Sequence, residues 1–278
     1  MEVDIGKLEG KVAVISGAGR GIGRAVALKL AADGAQVVVN DLDGEPAADT
    51  VAEIGRLGGS AIACPGDVVA VQFGEQLVTS ALDAFKRLDI IVNAAGYTWD
   101  HVIQKTSDEQ WYAMIDVHLT APFRILRAAA PYIRDAAKRE IAEGKPVCRK
   151  VVNISSLAGL DGNVGQIAYA AAKAGINGIT KTLCKEWGRY NVTVNTVAFG
   201  LIKTRLSGSL AAGNSIEVGG KQIAIGVNPT LLQRLETTIP LGRAGTPEEA
   251  AGAVYLFCIP ESDYVSGQML VCGGGVTF

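Results

Sequence analysis

The stretch Lys11–Gly23, KVAVISGAGRGIG, decides the fold of this 278-residue chain. It opens with a short apolar, β-branched run typical of a buried strand and continues into a turn rich in glycine. Apolar residues then recur at helical spacing as far as Asp33, and Gly34 ends the predicted helix as a C-cap. A second apolar run, Ala35–Asp41, follows. The order of strand, turn, helix and strand predicts a βαβ unit, whose parallel strands imply a right-handed crossover.

The same glycine turn predicts a binding site. Gly17, Gly21 and Gly23 let the chain turn tightly and let backbone N–H groups approach a pyrophosphate at the helix N-terminus. A glycine-rich turn alone is weak evidence, but this one lies between a strand and a helix, and Asp41 ends the next strand. We therefore expect a dinucleotide site here, with Asp41 accepting hydrogen bonds from the ribose hydroxyls.

Strands and helices continue to alternate along the rest of the chain. We expect a strand and loop at 61–68, strands at 88–93, 150–154, 192–198 and 268–272, and helices at 45–55, 72–86, 107–138, 170–190 and from Thr246. Pro122 and Pro131 should bend or break the long helix, and 139–150 has the charged composition of a surface loop. Residues 199–240 show helical pieces near 232–237 but no clean strand.

This alternation predicts the fold class. About seven strands with six or more helices indicate an α/β protein, a single Rossmann-like domain over residues 1–278. Its core would be a doubly wound parallel sheet with helices on both faces. Ligands of such sheets bind at the carboxyl ends of the strands, where Asn93–Gly96, Ser156 and Phe199–Thr204 all fall.

Composition narrows the functional classes. Hydrophobic residues make up 49% of the chain, and the net charge of -2 gives no reason to expect a nucleic-acid or anionic-membrane partner. The five cysteines are scattered and include no CxxC pair, which favours reduced thiols in a cytoplasmic protein and predicts no metal site. The chain begins with acidic residues rather than a signal-peptide pattern. No uncharged apolar run approaches about 18 residues, so no membrane span is expected.

Three residues suited to proton transfer surround one strand-to-helix connection. Ser156 follows the apolar run 150–154, and Tyr169 and Lys173 lie at i and i+4 on the next helix, so they share one face. We expect Tyr169 to act as general acid and base towards a carbonyl oxygen, Lys173 to lower the pKa of the phenol, and Ser156 to hold the oxygen. Because Tyr-x-x-x-Lys is also a common helical spacing, the assignment depends on the rest of the chain.

Several motifs in order make the sequence similar to the short-chain dehydrogenase/reductase family over nearly its whole length. Residues 16–23 resemble the TGxxxGIG cofactor turn, with Ser16 in place of Thr, and residues 93–96 resemble the NNAG segment. Ser156, Tyr169 and Lys173 match the catalytic Ser, Tyr and Lys, and 265–268 with 273–274 resemble the C-terminal signature.

The resemblance implies which residues hold the cofactor. Asp67 and Val68 would lie beside the adenine ring, and Thr204 would hold the nicotinamide carboxamide. The full implied set is Gly17, Arg20, Gly21, Ile22, Gly23, Asp41, Asp67, Val68, Asn93, Ala94, Gly96, Tyr169, Lys173, Gly200, Ile202 and Thr204.

The chain departs from the family pattern at two positions. His118 stands where the family has a catalytic Asn that anchors a proton-relaying water, and Phe199 stands where it usually has Pro. We expect His118 to lie within water-bridging reach of Lys173 and to relay protons as a neutral imidazole; the alternative is a structural His bonded to a backbone carbonyl. Phe is bulkier than Pro and frees the φ angle. The sequence therefore does not predict the path of this loop or the shape of the nicotinamide pocket wall. The Val-His-Leu segment and Asn40–Leu42 also resemble, more narrowly, the hydroxyacyl-CoA dehydrogenase module of peroxisomal multifunctional β-oxidation enzymes.

The resemblance implies an NAD(P)-dependent enzyme that interconverts a secondary alcohol and a ketone. Asp41 favours NAD(H), because a carboxylate there repels a 2′-phosphate, whereas Arg20 favours NADP(H), which we expect to be the weaker cofactor. The substrate would be a small alcohol or ketone capped by residues 205–238. The alternatives are a 3-oxoacyl thioester (ACP or CoA) reductase or 3-hydroxyacyl-CoA dehydrogenase and, more remotely, a non-catalytic nucleotide sensor, against which Ser156, Tyr169 and Lys173 argue.

A few other residues have simpler interpretations. Trp99 and Trp111 are expected to be packing residues, and the charges of Lys138–Glu140 to form a solvated face. His101 is either a surface loop residue or part of the substrate mouth.

The helices at 107–138 and 170–190 carry apolar residues on more than one face, among them Ile125, Leu126, Ile176 and Ile179. A helix that is apolar beyond one stripe needs a second partner, and the family resemblance implies a helical bundle between subunits. We therefore predict a homotetramer, which the molar mass measured by light scattering checks. A stable monomer in that measurement would contradict the prediction.

Overall fold

Parallel strands form the centre of the molecule in the computed structural model, which describes residues 6–208, 210, 213–227, 232 and 237–276. The strands of the main sheet are β1 (Val12–Ser16), β2 (Gln36–Val39), β3 (Ser60–Ala63), β4 (Ile90–Asn93), β5 (Arg149–Ser156), β6 (Val192–Phe199) and the last strand, β9 (Met269–Cys272). Strands β7 (Ser215–Val218) and β8 (Lys221–Ala224) form a separate antiparallel hairpin.

The main sheet has seven strands in the order β3-β2-β1-β4-β5-β6-β9, and every neighbouring pair is parallel. The order reverses between β1 and β4. The connections leaving these two strands therefore diverge to opposite faces and open a crevice at the carboxyl edge.

Helices cover both faces of this sheet. They are α1 (Gly21–Ala32), α2 (Gly44–Arg56), α3 (Phe73–Phe85), α4 (Asp108–Ile115), α5 (Ala121–Ala142), α6 (Ala158–Asp161), α7 (Ile167–Trp187) and α8 (Pro247–Tyr255). Thr246 caps α8 and Ser107 caps α4, each through a capping box.

Alternation along the strands divides the core into two layers. In β1, Ala13 and Ile15 join the cluster that includes Val26 and Val254, on the side of α1 and α8. Val12 and Val14 join the opposite cluster, with Leu77 of α3, Ile125 of α5 and Trp187 of α7. Successive side chains of a strand point to opposite faces, so one buried strand supplies both layers.

These observations confirm the predicted fold class, a single Rossmann-like α/β domain whose parallel sheet carries helices on both faces. The boundaries expected for α2, α3 and β4 differ from the structure by one or two residues. Within the described ranges, no helix is both long and apolar enough to cross a membrane.

The prediction of no clean strand between 199 and 240 is wrong. β7 and β8 pair across Gly219 and Gly220, whose φ angles are +58° and +76°. Two glycines with positive φ form the tight turn that matches the twist of a hairpin, and Gly-Gly between two short runs rich in β-branched residues is a sequence signal for it. The helical pieces predicted near 232–237 fall mostly on 233–236, which lie outside the described residues.

The prediction of a surface loop at 139–150 is also wrong, at both ends of that range. Helix α5 continues to Ala142, and Arg149 and Lys150 already belong to β5, where both are buried. Arg149 donates to Glu140 through two nitrogens at 2.8 and 2.6 Å and to the carbonyl oxygen of Leu88 at 3.1 Å. Glu140 therefore neutralises a buried guanidinium and is not part of a solvated face, whereas Lys138 and Arg139 are exposed as expected.

The long helix is interrupted where the sequence places proline. Residues Asp116–Thr120 form a π-helical turn between α4 and α5, and Pro122 lies in the first turn of α5. A π turn inserts one extra residue into a helix and is frequent at functional sites. Pro131 lies inside α5, which continues through it.

Candidate active site

The glycine turn after β1 packs against the loop that follows β4. The hydroxyl of Ser16 accepts hydrogen bonds from the backbone N–H groups of Ala94 (3.1 Å) and Ala95 (3.2 Å), which ties β1 to the loop after β4. Gly17 has φ +66°, and a Cβ added there would lie 2.6 Å from the Cα of Ala95. Only glycine fits this position, because the conformation and the contact both exclude a side chain.

A cavity of about 590 Å³ opens above this turn at the carboxyl edge of the sheet. Arg20 occupies the N-cap position of α1 but its side chain does not cap the helix, and no acidic residue lies in the first turn. Amide groups at this helix end are therefore available to an anion, as a pyrophosphate requires. The residues present fit a dinucleotide.

Most of the predicted cofactor residues line this cavity. They are Gly17, Arg20, Gly21, Ile22, Gly23, Asp41, Asp67, Val68, Ala94, Gly96 and Thr204. The five predicted cofactor residues that do not line it are Asn93, Gly200, Ile202, Tyr169 and Lys173. Asn93 donates to the side chain of Asn153 at 2.8 Å, Gly200 packs against Gly273, and Ile202 is buried.

Sequence reasoning missed several residues of the cavity. Asp43, Tyr97 and Asp116 line it, and so do Ser215–Gly219 and Gln222 of the β7–β8 hairpin. The Gly-Gly turn could have located the hairpin, but no local signal places it over the cavity.

The three predicted catalytic side chains come together. Helix α7 begins two residues before Tyr169, and the side chain of Ser156, at the end of β5, lies close enough to the phenol of Tyr169 to lower its pKa. The ammonium of Lys173 is buried and donates to the carbonyl oxygen of Ile154 at 2.7 Å. Its Nζ lies 5.6 Å from the centroid of the Tyr169 ring. The side chain of Ser155 donates to the carbonyl oxygen of Lys173 at 2.8 Å and fixes α7 on β5.

Burial dominates the protonation of this group. It lowers the pKa of Lys173 from 10.5 to about 7. It also raises the pKa of Tyr169 to about 12, an effect that the side chain of Ser156 opposes and the charge of Asp100 reinforces. Desolvation of the phenolate outweighs the other contributions, so the net pKa of the phenol lies above its ordinary value, and the lowering expected from Lys173 stays a prediction.

His118 lies in the π turn beside this group. Its Nε2 is 2.7 Å from the carbonyl oxygen of Tyr97, so Nε2 carries the proton and Nδ1 is left as an acceptor. Nδ1 is buried and has no hydrogen-bond partner among the described residues. Burial, and then the charge of Lys173, lower the pKa of His118 well below its usual value and keep the ring neutral.

The His118 ring links the cavity to the catalytic tyrosine. It meets the ring of Tyr169 edge-on, with centroids 4.9 Å apart. On its other side it covers Gly96, where an added Cβ would lie 2.1 Å from Cε1 of the histidine. Gly96 itself lines the cavity. The end of the cavity is therefore separated from Tyr169 by one imidazole ring.

The remaining predicted residues have simple placements. Phe199 is buried in the core and does not line the cavity, and its carbonyl oxygen accepts from the N–H of Leu157 at 2.9 Å, which fixes the loop path. Trp99 packs against the core as expected, whereas Trp111 is 36% exposed. His101 is exposed, hydrogen-bonds Gln110 at 2.9 Å and borders a second, open cavity. In the described ranges, no group of acidic, His or Cys side chains is arranged to hold a metal ion.

A dinucleotide cavity that ends beside a Tyr, a Ser and a Lys defines the class of protein, an NAD(P)-dependent oxidoreductase. Comparisons with known proteins agree. A family model described as short chain dehydrogenase matches residues 11–215. A 3-oxoacyl-[acyl-carrier-protein] reductase from Synechocystis sp. is 39% identical over 271 residues, 97% of this chain and 98% of that protein. The hydroxyacyl-CoA dehydrogenase ChsB1 of Mycobacterium tuberculosis is 39% identical over 264 residues, 93% of this chain and 80% of that protein.

A solved structure gives the same result. A 7α-hydroxysteroid dehydrogenase complexed with NADH and 7-oxo glycochenodeoxycholic acid matches with a TM-score of 0.83 and 28% identity, over 99% of this chain and 98% of that one. The chain therefore belongs to the short-chain dehydrogenase family and is an oxidoreductase acting on CH–OH groups. This assignment rules out the alternative of a non-catalytic nucleotide sensor that the sequence had left open.

The lowered pKa of Lys173 predicts a pH-dependent stability. Between about 7 and the ordinary value of 10.5, the unfolded chain binds one proton that the folded chain has lost, so the free energy of unfolding rises with pH. Relative to Lys173→Met, the wild type should become more stable from pH 7 to pH 10, with a slope of at most about 1.4 kcal/mol per pH unit. Urea unfolding across this range measures it.

The matched control for this measurement is Lys185→Met, which removes an exposed lysine from the same helix. Its stability should follow the wild type at every pH. Parallel stability curves for the wild type and Lys173→Met would contradict the assigned pKa.

Proposed function

We propose that this protein is an NAD(H)-dependent oxidoreductase that interconverts a secondary alcohol and a ketone. The observation that carries the proposal is the joint placement of Tyr169, Ser156 and Lys173 next to a cavity suited to a dinucleotide. The nicotinamide, when bound, supplies or accepts the hydride.

The chain's own groups handle the proton. Tyr169 gives the proton to the substrate oxygen during reduction and takes it back during oxidation. The Ser156 hydroxyl, which lies beside the phenol, orients that oxygen. The ammonium of Lys173 has three N–H donors, and its hydrogen bond to the carbonyl oxygen of Ile154 uses one of them. The other two donors are available to other groups of the site.

Two contacts at the adenosine end support NAD(H) over NADP(H). One carboxylate oxygen of Asp41 accepts from the N–H of Gly19 at 3.0 Å, which fixes the side chain at the cavity wall. Arg20, the cation that would favour a 2′-phosphate, lies 2.8 Å from Asp43 and 3.4 Å from Asp41. With two carboxylates around one guanidinium, this end of the cavity carries a net negative charge and disfavours an additional phosphate. The solved relative in complex with NADH is in line with this choice.

The second candidate function is a 3-oxoacyl thioester reductase or 3-hydroxyacyl-CoA dehydrogenase. It uses the same residues on a substrate that carries a thioester beside the reacting carbon. The observation that favours it is the activity for which two relatives are named, a 3-oxoacyl-[acyl-carrier-protein] reductase and a hydroxyacyl-CoA dehydrogenase.

The assembly and location predicted from the sequence also remain proposals. Trp111, Tyr112 and Phe123 present exposed aromatic side chains along α4 and α5, which supports a helical interface between subunits of a tetramer. The five cysteines are free thiols, which supports the cytoplasm as the compartment.

The proposed reaction is tested by following nucleotide absorbance with NAD(H) and NADP(H), using ketones and secondary alcohols in one series and 3-oxoacyl and 3-hydroxyacyl thioesters in another. We expect a higher kcat/KM with NAD(H) than with NADP(H), and Asp41→Ala should narrow this preference.

Tyr169→Phe should lower kcat about 100-fold or more, because it removes the general acid. Tyr264→Phe, at a fully exposed tyrosine, is the control and should match the wild type.

Each part of this proposal has its own contrary outcome. Near-full activity in a folded Tyr169→Phe variant would remove Tyr169 from the mechanism. A higher kcat/KM with NADP(H) would overturn the cofactor choice. Turnover of thioesters alone would select the second candidate over the first.

His118 is proposed to relay protons through its unpartnered Nδ1. His118→Leu, which removes both ring nitrogens, should lower kcat and change its pH profile while KM stays nearly constant. His118→Asn should cost little, since it restores the residue that the family resemblance implies at this position. If His118→Leu leaves kcat and its pH profile unchanged, the histidine is structural. If the only effect of His118→Leu is a higher KM for the nucleotide, the role of His118 is to hold the Gly96–Tyr97 loop in place.

A further inference from the structure

The loop that follows β4 brings a carboxylate to the start of the helix that carries the catalytic tyrosine. The side chain of Gln166 donates to Oδ2 of Asp100 at 2.6 Å, and the next residue, His101, forms an isolated parallel bridge with Gln166. The oxygen of the Gln166 amide accepts from Asn163 at 2.9 Å, which fixes the orientation of the amide. The carboxylate is therefore held in one place, although its residue is exposed.

The Asp100 carboxylate lies beside Tyr169. Gln166 is the N-cap residue of α7 and precedes Tyr169 by three positions, and residues with this spacing are neighbours on one face of a helix. Burial raises the pKa of the Tyr169 phenol, and the charge of Asp100 raises it further. The carboxylate therefore acts on the group against which the substrate oxygen would lie.

The negative charge of Asp100 is not cancelled by a neighbouring cation. Its carboxylate is bonded to an uncharged amide, and no lysine or arginine forms an ion pair with it in the described part of the chain. The ring of His101 hydrogen-bonds Gln110 at 2.9 Å. Lys173 lies one turn beyond Tyr169, and burial lowers its pKa to about 7, so above this pH it offsets little of the charge.

A negative charge at this point affects which substrates the site accepts. A carbonyl compound placed against Tyr169 brings the groups next to its reacting carbon towards Asp100. A carboxylate among these groups would be repelled, whereas an uncharged ketone, ester or thioester would meet no such penalty. Proteins often select one substrate through an unfavourable interaction with its competitor.

We propose that Asp100 is a specificity-determining residue that disfavours substrates with a carboxylate next to the reacting ketone. The substrate class is then an uncharged ketone, including the esters and thioesters of 3-oxo acids, rather than a keto acid. This inference rests on the proposed oxidoreductase function. It applies to both candidate functions, because a simple ketone and a 3-oxoacyl thioester are equally uncharged at the reacting end.

The proposal is tested with two compounds that share one ketone and differ in charge, 3-oxobutanoate and its ethyl ester. Their reduction is followed by nucleotide absorbance at pH 8 and low salt. The wild type should reduce the ester with the higher kcat/KM. Asp100→Asn keeps an oxygen that can accept from Gln166 and should raise the acid-to-ester ratio of kcat/KM about two- to five-fold, the scale of an interaction between exposed charges.

Salt provides a measurement that needs no variant. Added salt should raise the acid-to-ester ratio of the wild type, because it screens the repulsion by Asp100, and should change the ratio of Asp100→Asn less. The matched control is Asp49→Asn, the same change at an exposed aspartate of α2, which should keep the wild-type ratio.

The contrary outcomes separate this inference from the proposed function. A ratio in Asp100→Asn equal to that of the control, or a wild type that prefers the acid, would overturn the role of Asp100. Failure to reduce the ester by a wild type that reduces other carbonyl compounds would overturn the substrate class. A wild type that reduces no carbonyl compound with either nucleotide would overturn the proposed function, and the inference with it.

Discussion

Parallel pairing of β1 with both β2 and β4 is the constraint on which the rest of this structure depends. Parallel strands end at the same edge, so the loops that follow them gather there although they are far apart in the chain. The reversal of strand order at this point sends the neighbouring connections to opposite faces and leaves a crevice between them. The glycine turn, the Asn93–Gly96 segment and Ser156 meet at that edge for this reason.

The site at this edge is costly for stability. An ammonium is buried at Lys173 with one carbonyl partner, and His118 and Asn93 each carry a buried acceptor without a partner among the described residues. Unpaired buried polar atoms and desolvated charges oppose folding. The apolar layers on the two faces of the sheet offset this cost, and the same desolvation moves the pKa values of Lys173 and Tyr169. Proteins commonly accept such local costs where chemistry occurs.

Charges and turns away from the catalytic group show where reasoning from the sequence stopped. Arg20 in the glycine turn was an isolated cation in the sequence, but the fold places it next to Asp43 and Asp41. Glu140 belonged in the sequence to a charged run expected at the surface, yet it is the partner of Arg149, nine residues later. In each case the sequence contained both partners and gave no measure of the distance between them.

What the sequence by itself determined is what depends on local periodicity and short spacing. The alternation of strand and helix, the glycine turn, the capping boxes at Ser107 and Thr246 and the i, i+4 relation of Tyr169 and Lys173 all act within a few residues, so propensity and pattern suffice. Only the tertiary structure decided which way the β7–β8 hairpin faces and that the His118 ring lies between Gly96 and Tyr169. These depend on contacts between residues distant in the chain, and burial then determines the protonation of the groups that meet.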